Sequence, residues 1–189
     1  MSQSPVAILI GILVVLVAMW WIAVYNRLVK LRHLIVNSWS NVETELTRRY
    51  ELIPNLVETV KGYAEHERAV LESVVEARAA ALATNGEDPA AQQAPERDLV
   101  GGLRRLLGVA EAYPELKASE HFLELQRELA TTEDRIQLAR RIYNTNVRDN
   151  NVLVESIPSK LVASAGGFER APFFEIEPAM REVPPVDLA

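Results

Sequence analysis

The sequence predicts an all-α protein in which a single N-terminal transmembrane helix runs into an antiparallel bundle of long helices. Three observations carry this prediction. Positions 6–25 form an uncharged apolar run. Two later stretches, 28–53 and 122–147, place apolar residues every three or four positions, the period of helices packed lengthwise against one another.

The first run reads VAILIGILVVLVAMWWIAVY. As a helix its twenty residues rise about 30 Å, the thickness of a bilayer's hydrocarbon core. Trp20, Trp21 and Tyr25 gather at its C-terminal end, where amphipathic rings favour the headgroup boundary, and Gly11 is tolerated in a membrane helix. A cleaved secretory signal would need a basic start and a small-x-small site. Only Met1 to Pro5 precede the run, and Ala18 and Ala23 are followed two places on by Trp20 and Tyr25. A buried core helix would not be apolar on every face at the extreme N-terminus. Without cysteine there is no lipoprotein anchor, and the composition fits a reducing compartment.

Basic residues set the expected orientation. None precedes the run, whereas Arg27, Lys30 and Arg32 follow it and Arg48 and Arg49 come soon after. The positive-inside rule then predicts the N-terminus outside and the C-terminal domain in the cytoplasm. The expected partners at this border are the bilayer and, through Arg27, Lys30 and Arg32, anionic lipid headgroups. A solvated helix face that merely obeys the rule is the alternative. The net charge of −6 argues against general nucleic-acid binding, which needs a basic face.

The expected domain map is a short tail at 1–5, the span at 6–25, a helical bundle at 26–168 and a Pro-rich flexible tail at 169–189. The first seam, Leu28, Leu31, Ile35, Trp39, Val42, Leu46, Tyr50 and Ile53, has no Gly or Pro between it and the span, so both belong to one rod. Pro54 predicts a kink and Gly62 is a second soft point, while Leu56 or Val57, Val60, Tyr63, Val70 or Leu71, Val74 and Ala77 carry the stripe on to Leu82. Positions 84–89 form a turn, and Ala90 to Pro95 prolong it as a flexible loop. A third helix is expected near Asp98, showing Leu99, Leu103, Leu106 and Ala110 on one face and ending at Tyr113 and Pro114. A long fourth helix opens at Ser119 or Glu120, repeats Phe122, Leu125, Leu129, Thr132, Ile136, Ala139, Tyr143 and Val147, and stops by Pro158. Phe168, Phe173 and Phe174 are expected to tuck against the bundle, and the last ten or so residues have the composition of a disordered terminus.

Chemistry-bearing residues are sparse. His33, His66 and His121 stand in no catalytic setting, and Lys30, Tyr63 and Ala118 lie three places before them, so no Glu-x-x-His pair for a di-metal bundle exists. No catalytic, cofactor-binding or metal residues are predicted, and the chain is read as a non-enzyme without cofactor. Glu120, Glu124 and Glu128 share a helix face, either as an acidic strip for a partner or as a solvated surface. Asn144, Asn146, Asn150 and Asn151, with Tyr143 beside them, either fix helix register or oligomer state or are exposed and capping.

The blocks YNRLVKLR (25–32), RRYELIPNLV (48–57), VKGYA (60–64), EAYPELK (111–117) and TEDRI (132–136), with Trp39, Phe122 and Tyr143-Asn144, resemble the LemA family over nearly the whole chain. Asn150-Asn151 and Ile157-Pro158 depart from that family's usual Tyr-Asn and Phe-Pro. The resemblance implies a single membrane helix followed by a cytoplasmic antiparallel bundle at a bacterial inner membrane, and supplies no reaction. Two functions follow as expectations. One is a membrane-tethered scaffold holding a protein partner or copies of itself, with Glu124 on a candidate contact face. The other is a ligand- or ion-sensing module in which Arg48, Arg49, Asn55, Tyr63, Glu111 and Tyr113 converge on a polar site. If the two arginines meet acids, Glu45 or Glu111 is expected to pair with them in a structural network.

Overall fold

The computed structural model describes residues 5–176, and all regular structure within them is helical. The helices are α1 (Pro5–Lys61), α2 (Arg68–Ala83), α3 (Pro89–Glu111), α4 (Pro114–Lys117), α5 (Glu120–Glu155) and α6 (Ser159–Ala165). α1 runs unbroken for 57 residues, about 85 Å at 1.5 Å per residue. The apolar run and the first seam are thus one rod. The apolar window of that rod is long enough to cross a membrane and none of it is buried.

α5 lies antiparallel along α1, with Glu133 level with Arg49, Tyr143 with Trp39 and Asn146 with Ser38. α2 and α3 pack on each other and on the half of α1 remote from the apolar run. In that remote half, Leu46, Ile53 and Val60 of α1, Val74 of α2, Leu99, Leu103 and Leu106 of α3 and Leu129 of α5 are essentially inaccessible. Each such side chain stabilises the fold by about 1.5–3 kcal/mol. α2 and α3 approach closely because Gly102 faces Val74: a Cβ there would sit 3.2 Å from Val74 Cγ2.

Three local features refine the sequence reading. α1 passes through Pro54, whose missing N–H leaves the Tyr50 carbonyl without a helical donor. Arg78 Nε of α2 donates to that carbonyl at 2.7 Å, so the proline creates a docking point for the neighbouring helix. The break comes instead at Gly62, where the Tyr63 and Ala64 amides both fold back onto the Val60 carbonyl and the stripe divides into two antiparallel helices. α3 begins at Pro89 rather than near Asp98, so Ala90 to Pro95 are helical and not a loop. Asp88 caps it, its side chain accepting from the Ala90 amide at 2.8 Å, and Pro89 occupies the first turn, where a missing N–H costs nothing.

Beyond α5 the chain turns through Ile157 and Pro158 into α6, whose Val162 and Ala163 pack with Phe168 on Leu28, Val24 and Val29 of α1. Residues 169–176, expected as part of a flexible tail, run back along α5 as an extended strap, with Phe174 fully buried and Ile176 nearly so. The packed domain therefore reaches 176 rather than 168. Of the three phenylalanines Phe168 and Phe174 are buried and Phe173 is exposed. The terminus expected to be disordered lies outside the described residues.

Candidate functional site

Two polar assemblies and one groove hold the chemistry. The first assembly is at the base of the four-helix half, where α1, α3 and α5 meet. Arg49 Nη1 donates to Glu133 Oε1 at 2.8 Å, and Arg49 Nη2 pairs with Glu96 Oε2. The other oxygen of Glu96 accepts from the Tyr50 hydroxyl, which itself accepts from Gln92 Nε2 at 2.9 Å. Arg49, Gln92 and Glu96 are wholly buried and Glu133 nearly so. Burial pushes the Tyr50 hydroxyl above its ordinary pKa, partly offset by the Arg49 charge, so Tyr50 remains a donor to Glu96. Ion pairs out of water gain little over apolar packing, but losing one partner is severe. The assembly therefore acts as a register lock on three helices.

The second assembly binds the strap. Asn151 donates to the Ala171 carbonyl at 3.0 Å and accepts from the Ala171 amide at 2.9 Å. Asn144 does the same for Phe174, with both distances 3.0 Å. Two helical turns separate these asparagines, about 10.5 Å, and three extended residues from Ala171 to Phe174 cover about 10 Å. The side-chain amides thus present the donor–acceptor pairs that a neighbouring β-strand would offer. Asn150 donates to the Glu169 carbonyl and Tyr143 Oη to the Pro172 carbonyl at 2.8 Å. Arg140 donates to the Ile176 carbonyl, and Gln93 of α3 to that of Phe173 at 2.9 Å. Burial, then the Asp88 charge, push the Tyr143 hydroxyl up to about 12. Burial and the neighbouring Arg141 lower Arg140. Trp39 stacks edge-on to Phe174, ring centres 5.0 Å apart, and tilts against Tyr143 at 5.3 Å.

The groove lies between α1 and α5, lined by Ser38, Asn41, Glu45, Arg135, Leu138 and Ile142, with a volume of about 220 Å³. Leu138 and Ile142 are about half exposed there.

The residues singled out from sequence do not converge. Arg49 enters the buried network, but its partners are Glu96 and Glu133 rather than Glu45 or Glu111. Arg48 points outward beside Glu45 at 3.8 Å. Asn55, Tyr63 and Glu111 are exposed, and Tyr113 is half-buried in the turn between α3 and α4. Glu124 is exposed with Glu120 and Glu128 on the outer face of α5. Tyr143 and Asn144 belong to the strap assembly, and the asparagines there neither cap α5 nor lie idle. Gln92 and Glu96 were missed because they fell in a presumed loop. Their signal was spacing: 92, 96, 99, 103 and 106 step by four, three, four and three, which places two polar residues on the apolar stripe.

A model of the LemA family matches residues 38–188 of the chain. Magnetosome proteins MamQ 1 and MamQ 2 of Paramagnetospirillum magneticum are each 24% identical over 179 residues, covering 82% of this chain and 66% of theirs. Magnetosome protein MamQ of Magnetospirillum gryphiswaldense is 22% identical over 206 positions, covering 95% of this chain and 76% of its own. The chain thus spans about two thirds of the length of the first two relatives.

Proposed function

The chain belongs to the LemA family, and from that premise we propose that it is a membrane-tethered scaffold rather than an enzyme. The observation that carries this reading is the continuity of α1, which passes from an apolar stretch of spanning length into the centre of the bundle without a hinge. Such a rod holds the bundle upright. The α1–α5 groove, with Leu138 and Ile142 half exposed between polar rims, supplies a surface on which a partner protein or a second copy docks. The buried carboxylates support the same reading, because Glu96 and Glu133 are committed to Arg49 and have no exposed face to offer a substrate. A sensing module built on Arg48, Arg49, Asn55, Tyr63, Glu111 and Tyr113 is less well supported, since Arg49 is sealed away from the others. The magnetosome role named for the MamQ relatives is theirs.

In this reading the bundle stands in the cytoplasm of a bacterial inner membrane, with Arg27, Lys30 and Arg32 on the inner side of the span. Protease added outside intact cells should leave the bundle whole, and its digestion would reverse the orientation. A photo-reactive cysteine replacing Ile142, with one replacing Glu124 for comparison, tests the scaffold itself. A discrete product from Ile142, either a dimer or one recurrent foreign protein, is the expected result. A detergent-purified monomer that captures nothing in cells would sink the scaffold.

A further inference from the structure

We propose that the elbow between α5 and α6 is a second contact with the bilayer, a foot that rests among lipid headgroups beside α1. The inference goes beyond the scaffold reading and shares with it only the membrane span. Its starting point is height. α6 docks on α1 at Val24 and Leu28, and the Phe168 ring meets Tyr25 edge-on with centres 5.4 Å apart, at the very end of the apolar run. Gly166 also packs there, where a Cβ would collide with the Phe168 and Tyr25 rings. A span that ends at Tyr25 therefore puts α6 at the level where hydrocarbon gives way to headgroups.

At that level the outward face carries two large aliphatic side chains. Ile157 is 86% exposed and Leu161 64%, while Val162 and Ala163 on the opposite face of α6 are buried against α1. Scattered exposed aliphatics are ordinary on a protein surface, but these two share one elbow and adjoin the apolar stretch itself. The charge fits the same occupant. Arg27, Lys30 and Arg32, within two turns of the end of the apolar run on α1, and Lys160 on α6 are all exposed. Of the nearby acids, Glu155 is held by Arg170 at 2.8 Å, which leaves Glu169 against four bases. A chain with net charge −6 thus concentrates positive charge where it meets the membrane. Aliphatic tips at the same level as exposed bases are the composition of an interfacial anchor and suit an anionic bilayer surface.

The absence of cysteine makes the test direct. Single cysteines replacing Leu13, Ile157, Leu161 and Ala80 are introduced one at a time into the full chain, spin-labelled, and reconstituted in bilayers with and without phosphatidylglycerol. Collision with oxygen is compared with collision with a water-soluble nickel chelate. The oxygen-to-nickel ratio should be highest at 13, several-fold above that of 80 at 157 and 161, and lowest at 80, with phosphatidylglycerol raising it at 157 and 161. A deep 13 with 157 and 161 matching 80 overturns the foot and leaves the span intact. An aqueous 13 overturns both. Ratios at 157 and 161 that ignore phosphatidylglycerol overturn the part given to the bases. A benzophenone at 157 that captures a polypeptide instead of lipid overturns the choice of occupant.

Discussion

Beyond the level of Arg49 four helices enclose the core, whereas between Arg49 and the apolar run α1 and α5 are accompanied, among the described residues, by an eight-residue strap and, at the far end, the short α6. The remote half is conventional: leucines interdigitate, each helix satisfies its own backbone except at the Tyr50 carbonyl, to which Arg78 donates, and one ionic assembly ties three helices together. In the near half the place of two helices is taken by extended chain, which has no internal hydrogen bonds. Its amides and carbonyls must find partners elsewhere, and α5 supplies them from Asn144, Asn150, Asn151, Tyr143 and Arg140. The lesson is that a bundle can lose helices locally if side chains take over the backbone's role. Specificity then rests on a few amides rather than on a long seam.

Four experiments break or sharpen this contrast. The largest effect belongs to Arg49→Ala, which strands the carboxylates of Glu96 and Glu133 in the core. Denaturant unfolding in detergent should show a loss of about 4 kcal/mol, with the remote half giving way first. Phe174→Ala empties the aromatic slot beside Trp39 and should cost about 3 kcal/mol. Hydrogen exchange should then rise along 138–155 while the amides of Leu99 to Ala110 keep their protection. Equal loosening of both halves would show that they are not separate units.

A smaller change, about 1 kcal/mol, is expected for Arg78→Ala, which deprives the Tyr50 carbonyl of its donor. Pro54→Ala restores a helical N–H to that carbonyl, so in its background Arg78→Ala should cost measurably less. The last effect is a pH dependence confined to alkaline conditions. The Tyr143 hydroxyl titrates at about 12 in the folded chain against an ordinary value of 10.0. Its contribution is therefore fully present below pH 10 and disappears as pH rises toward 12. Tyr143→Phe should flatten that alkaline fall, and an unchanged alkaline slope would mean the strap does not depend on this hydroxyl.

The two long helices were legible because their repeats are long, local and regular. Seven steps of three or four along 28–53 leave little room for another structure. Gly62 was legible as a soft point, but the stripe keeps its phase across it and only the backbone shows that the chain reverses there. Asp88-Pro89 carried a start signal that Pro95 masked, and with it went Gln92 and Glu96. Arg49 was visible as part of a motif, but its acids come from helices 47 and 84 residues away. The asparagines drew notice as a cluster, yet their role depends on a segment about twenty to thirty residues downstream that has no periodicity of its own.

The unbroken length of α1 sets an altitude. The groove residues Ser38 and Asn41 lie 13 and 16 positions beyond Tyr25, about 20–24 Å along the axis at 1.5 Å per residue. That is more than twice the roughly 8 Å over which salt screens charge under physiological conditions. A docking partner at the groove would consequently feel the protein and not the lipid. With no joint in the stalk, every copy would offer its groove at one height and one heading to its own helix, so that neighbours drifting in the same membrane meet in a plane rather than a volume.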